Sequence, residues 1–123
     1  MNARVLIVDD EPNIVLAIDF LLGQKGFTTE KAYNGKEALE KVQSFQPNIV
    51  VLDVMMPGMT GFEVARQIRL TKGFANVQVV FLTAKGTTKD KMQGYSNGGD
   101  LYLTKPFDND DLVLSIEEMV QYG

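Results

Sequence analysis

At 123 residues the chain is about one domain long and can close a single hydrophobic core without disulfides or a structural metal. Hydrophobic residues make up 45% and charged residues 23%, the balance of an ordinary globular protein, and a net charge of -4 argues against general attraction to nucleic acid or anionic membrane. Neither cysteine nor histidine occurs, which excludes thiolate nucleophiles, Ser-His-Asp triads and His-ligated zinc and leaves carboxylate, hydroxyl and amine for chemistry.

The first predicted element is "RVLIV" (4–8), a continuous apolar run of the kind buried on both faces of a parallel sheet. It is too short for a signal-peptide core or a bilayer span, so a cytoplasmic location is expected. The run passes directly into three carboxylates, Asp9, Asp10 and Glu11. Ile14, Ile18, Leu21 and Leu22 then form the apolar stripe of a first helix, with Gly26 as its stop. "FTTEKAY" (27–33) is mixed in character and predicts an edge strand, followed by the turn signal Asn34-Gly35. Asn34 also suits the cap of a second helix, whose stripe is Ala38, Leu39 and Val42.

"NIVVLD" (48–53) predicts a third strand, Val64, Ala65 and Ile68 a third helix, and "VQVVFLT" (77–83) a fourth strand. Residues 85–99 carry only Met92 and Tyr95 at helical spacing among glycines and polar residues, which predicts a loosely held fourth helix. "DLYLT" (100–104) follows as a fifth strand, and Leu112, Ile116, Met119 and Val120 outline a last helix that Asp108 is placed to cap. There is no internal repeat, low-complexity tract or linker, so residues 1–123 are expected to form one domain.

Strands joined by helical crossovers are parallel, and right-handed crossovers on both faces give an open, doubly wound α/β sheet whose ligands sit at the carboxyl ends of the strands. Those ends carry Asp9 and Asp10, Asp53, Thr83 and, just beyond the fifth strand, Lys105. Carboxylates a few Å apart repel one another unless a cation neutralises them, and oxygen-only ligands suit a hard ion such as Mg²⁺. An ammonium and a hydroxyl beside such an ion fit the three oxygens of a phosphoryl group, and a carboxylate among them can act as nucleophile. The expected chemistry is phosphorylation of an aspartate, with Asp53, on the central strand, as the best candidate.

"VLIVDDEP", "VVLDVMMPGMTGFE", "FLTAK" and "YLTKPF", in this order over essentially the whole chain, resemble the receiver domain of bacterial two-component response regulators. The resemblance implies a flavodoxin-like five-stranded parallel sheet of order 2-1-3-4-5 with about five helices. It implies that Asp53 is the phosphoacceptor, that Asp10, Asp53 and the backbone carbonyl of Met55 ligate Mg²⁺ directly, and that Asp9 acts mostly through water. Thr83 would hydrogen-bond the phosphoryl group, Lys105 would pair with it, and the Lys105-Pro106 bond would be cis. Tyr102, three residues before the lysine, would be a switch residue moving with Thr83, and Met55 and Lys85 would set the phosphoryl lifetime.

The implied function is a signalling switch, with no catalysis beyond self-phosphorylation and autodephosphorylation. Its partners would be a sensor histidine kinase or phosphotransfer protein and an output partner or domain. The output would be met through the face of the fourth helix, fifth strand and fifth helix, where Lys85, Lys89, Lys91 and Tyr95 are candidate contacts. A homodimer is left open; direct contact with nucleic acid or membrane is not expected. The chain departs from many members in reading "NGGDLY" where Gly-Ala-Asp precedes the fifth strand, and "MTGFE" where Asp-Gly follows the Met-Pro-Gly turn. Gly98 and Gly99 could loosen entry to the fifth strand.

Each residue also has a plainer role: Asp9, Asp10 and Glu11 as helix-capping acids, Glu11 above all, Thr83 as a β-former, Lys105 as a surface lysine and Tyr102 as core filler. Three other functions compete with the switch. A haloacid-dehalogenase-like phosphatase also forms an aspartyl phosphate but needs Asp-x-Asp, where this chain has Asp53-Val54-Met55. A flavodoxin-type flavin module needs a hydroxyl- and glycine-rich phosphate loop where this chain has "DDEP". A receiver-like scaffold that is never phosphorylated would usually have lost part of the constellation.

Overall fold

The three continuous apolar runs occupy the centre of a five-stranded parallel sheet of order β2-β1-β3-β4-β5. The strands are β1 (Arg4–Val8), β2 (Thr28–Ala32), β3 (Ile49–Asp53), β4 (Gln78–Thr83) and β5 (Leu101–Thr104). The computed structural model describes residues 3–84 and 100–122. The fourth helix predicted over 85–99, with Lys85, Lys89, Lys91 and Tyr95, lies outside the described residues. Among the described residues there are four helices: α1 (Pro12–Gln24), α2 (Gly35–Phe45), α3 (Gly61–Leu70) and a C-terminal helix (Asn109–Tyr122).

Burial follows the order of the strands. Every residue of β3 is buried, whereas β2 and β5 at the sheet edges are only partly so, as their mixed sequences require. Side chains alternate between two cores. On one face Leu6, Val50, Leu52, Phe81 and Tyr102 pack with Ala38, Val42, Val64 and Ile68 of α2 and α3. The opposite face joins Val5, Ile7, Val51 and Leu82 to Ile18 and Leu22 of α1 and Leu112 and Ile116 of the C-terminal helix. This is the doubly wound arrangement expected.

Local signals set the helix ends. Gly26 adopts φ 89, and the amides of Gly26 and Phe27 return to the carbonyls of Gly23 and Leu22, a Schellman stop that turns the chain into β2. Asn34 accepts from the Glu37 amide at 2.8 Å, and Asp108 accepts from the amides of Asp110 and Asp111 at 2.8 and 3.2 Å, so both predicted caps form. Glu11 stands at the start of α1 but makes no side-chain cap hydrogen bond, and Pro12 fills the first turn instead.

Candidate functional site

The loop leaving β1 is shaped by Asp9 itself. Its backbone N–H donates to the Ala32 carbonyl at 3.2 Å, and its Oδ1 accepts from the Glu11 N–H at 2.9 Å, which leaves Oδ2 facing the site. Asp9 is fully buried, while Asp10 and Glu11 are exposed. Asp53 ends the most buried strand and is itself only 4% exposed.

Beyond Asp53 the chain must turn hard against its own strand. The Val54 N–H continues onto β4 through the Leu82 carbonyl at 3.0 Å, and Gly61 N–H returns to the Val54 carbonyl at 3.0 Å. A Cβ on Gly61 would stand 2.3 Å from the Asp53 carbonyl oxygen, so only glycine permits α3 to start here. Thr60 caps α3 by accepting from the Glu63 amide at 3.2 Å. Both residues escaped the sequence reading, although Thr60 with Glu63 is a capping-box signal and a glycine in a first helical turn is a sign of close approach.

Lys105 closes the site from the other side. The Lys105-Pro106 bond is cis, as the resemblance implied, and the Lys105 N–H donates to the Thr83 carbonyl at 2.6 Å. Its Nζ lies 2.8 Å from Asp9 Oδ2, 3.3 Å from Asp53 Oδ1 and 3.8 Å from Glu11 Oε1. The Glu11 contact was not expected; it is exposed and weak, but it adds a third acid around one ammonium. Thr83 is 2% exposed at the end of β4, one register position beyond the Leu82 that faces Asp53. Tyr102 is buried on the α2 and α3 face, opposite Phe81 in the β4–β5 ladder.

The Lys105 ammonium does not balance these acids. Burial pushes the Asp53 carboxyl up, the charge of Asp9 adds to it, and Lys105 only partly opposes them, so its pKa stands at about 6. Burial pulls the Lys105 ammonium down, but its hydrogen bond to Asp9 and the charges of Asp53 and Asp9 outweigh that and raise it. Carboxylate oxygens of Asp9, Asp10 and Asp53 lie within 4.8 Å of one another. An oxygen-only trio at that spacing fits a hard divalent ion, and such an ion would relieve the repulsion that raises Asp53.

Met55, two residues past Asp53, has a side chain 65% exposed, while Met56 is buried as loop packing. Ala84 is exposed; Lys85 falls outside the described residues. The structure thus brings Asp9, Asp10, Asp53 and Lys105 into one cluster and sets Thr83 on the same edge. Tyr102 it places in the core.

The family model for the response regulator receiver domain matches residues 5–117. The chain is 41% identical over 107 residues to the alkaline phosphatase synthesis transcriptional regulatory protein PhoP of Bacillus subtilis, covering 87% of this chain and 44% of that protein. It is 39% identical over 116 residues to the DNA-binding response regulator MtrA of Mycolicibacterium smegmatis, covering 94% of this chain and 50% of that one. The chain spans about half the length of the curated relatives it matches. Among solved structures, the chemotaxis protein CheY4 of Vibrio cholerae superposes with a TM-score of 0.91 at 31% identity, covering 96% of this chain and 98% of that one.

Proposed function

We propose, for a chain that belongs to the response regulator receiver domain family, that Asp53 accepts a phosphoryl group from the phosphohistidine of a sensor kinase or phosphotransfer protein. Residues 1–123 act as one receiver domain in the cytoplasm. Receiver domains are signalling proteins rather than enzymes in the usual sense, and no helix among the described residues is long and apolar enough to cross a membrane.

The observation that carries this reading is Asp53 itself. It is a buried carboxylate at the end of the central strand, 3.3 Å from the Lys105 ammonium and grouped with Asp9 and Asp10. An oxygen of Asp53 attacks phosphorus, the bond from phosphorus to the donor's imidazole nitrogen breaks, and an acyl phosphate forms. Lys105 pairs with a phosphoryl oxygen and so leaves part of its hold on Asp53. The Thr83 hydroxyl donates to another. Mg²⁺ would be held by Asp10 and Asp53 directly, with the Met55 carbonyl and with Asp9 through water, and would supply charge neutralisation for the acids and the incoming oxygens.

The switch that the family resemblance implies is supported by where these residues sit. Thr83 leads its strand end toward the phosphoryl group, and Tyr102, whose ring packs beside β4 in the same core, follows into the space vacated. An output partner or domain reads the change at the face built around β5 and the C-terminal helix. Intact mass after incubation with acetyl phosphate tests the acceptor: one phosphoryl group is expected in Mg²⁺, none with chelator, and none on Asp53→Asn. Addition that ignores Mg²⁺, or that persists on Asp53→Asn, would overturn it.

A further inference from the structure

At the amino end of β5, opposite the phosphoacceptor edge, the chain enters the strand through Asp100. The Asp100 N–H donates to the Val79 carbonyl at 2.8 Å, and its Oδ2 accepts from the Val79 N–H at 2.8 Å, so the side chain closes a ring with β4 that the backbone alone would leave open. The same oxygen takes an Arg69 guanidinium N–H at 2.7 Å. Arg69, in the last turn of α3, donates further to the carbonyls of Ala75 and Val77 in the loop before β4. One carboxylate thus ties α3, the start of β4 and the start of β5 together.

The ion pair is partly exposed and adds little stability by itself. Its consequence is positional. β5 is the shortest strand of the sheet, four residues long, and pairs only with β4 in the observed order. It begins one residue after Asp100 and ends one residue before Lys105. The ladder Val80 to Leu101 through Thr83 to Thr104 is therefore set at one end by Asp100 and delivers Lys105 at the other. A slip of one residue moves the strand by about 3.3 Å and turns every side chain to the other face. That is as large as the Lys105 contacts to Asp9 and Asp53 themselves, 2.8 and 3.3 Å, and it would also take Tyr102 out of its core.

We infer that Asp100, held by Arg69, is a positioning residue: it pins the register of β5 and thereby places the Lys105 ammonium at Asp53. The inference deepens the proposed function and rests on Lys105 serving the phosphoryl group. It assigns a role in the reaction to residues at the far end of the strand from the chemistry. Displacing a reacting group by about 1 Å can cost 10²-fold in rate, so loosening a pin without unfolding the strand should show first in phosphorylation.

Amide hydrogen exchange and phosphorylation by acetyl phosphate should be measured on the full chain for Asp100→Ala, Asp100→Asn and Arg69→Ala, with Lys105→Ala as the site control. Asp100→Ala should lower protection of the Leu103 and Lys105 amides about tenfold or more while β1 and β3 keep theirs, and should slow phosphorylation about tenfold with Mg²⁺ affinity no weaker, since Asp9 and Asp10 follow β1 and Asp53 ends β3. Asp100→Asn keeps an acceptor for the Val79 amide and should restore most of both; Arg69→Ala should fall between. Unchanged β5 protection in Asp100→Ala, or a loss spread evenly over β1, β3 and β5, would overturn the pin. If Lys105→Ala is phosphorylated as fast as the parent, the reading of the site fails instead, and the exchange pattern still decides whether Asp100 sets the register.

Discussion

The two edges of the sheet treat charge in opposite ways. At the amino edge, Arg69 meets Asp100 and two backbone carbonyls, and Arg4 donates to the carbonyls of Phe45 and Gln46 at the end of α2, where a cation also suits the helix dipole. Both of these arginines have their complement. At the carboxyl edge, among the described residues, the Lys105 ammonium alone faces Asp9, Asp53 and Glu11, with Asp10 beside them, and the most buried strand ends on a carboxyl held at about 6. The first edge sets its charges against partners already in the fold, whereas the second gathers more acid than the Lys105 ammonium offsets, which is the excess that the proposed function uses.

The largest effect should come from removing the Lys105 ammonium. Lys105→Ala leaves Asp9 and Asp53 buried and unopposed, and breaking a buried pair from one side costs about 3 kcal/mol or more; urea unfolding without Mg²⁺ should show it, and added Mg²⁺ should recover part. Next is Gly61→Ala, where the new Cβ meets backbone that cannot step aside. An overpacking cost of about 2 to 3 kcal/mol is expected, with phosphorylation slowed as the Asp53 end of β3 is displaced.

Asp53→Asn sharpens the contrast by changing sign. Because the folded carboxyl sits at about 6, above its ordinary 3.8, the folded protein holds a proton that the unfolded chain releases between those values. Stability from this group is full at low pH, falls as pH rises from about 4 to 6, and stays low above. At pH 7 without Mg²⁺, Asp53→Asn should therefore be more stable than the parent by about 3 kcal/mol, and most of the gain should be gone near pH 4. Glu30 moves oppositely, its carboxyl lowered first by the Lys31 amide, so the difference between parent and variant, rather than either curve, carries the test. A parent at least as stable as the variant at pH 7 would remove the cost assigned to the carboxyl edge. The smallest effect belongs to the amino edge: Arg69→Ala should cost about 1 kcal/mol or less at any pH between 5 and 8, since the pair it breaks is partly exposed.

What was legible in the sequence follows the same division. Strands buried on both faces announce themselves as unbroken apolar runs, so β1, β3 and β4 and the residues ending them were readable, and with them the carboxylates, Thr83 and Lys105. The chemistry sits where the hydrophobic pattern stops. The parts that escaped are those fixed by a single close contact between distant segments: Gly61 against the Asp53 carbonyl, Glu11 near Lys105, and Arg69 reaching Asp100 across β4. No periodicity records such pairs. The edge strand β5 and its entry depend on them most, which is why "NGGDLY" read as a loosened departure while the structure gives Asp100 an anchoring role.

The most direct measurement of the central claim is to phosphorylate the parent chain with acetyl phosphate in Mg²⁺, reduce the acyl phosphate with borohydride and locate the altered residue by peptide mass spectrometry. The account predicts a single reduced residue at position 53. Reduction at Asp9, Asp10 or any other acid, or none when a beryllium fluoride complex also fails to form, would contradict it.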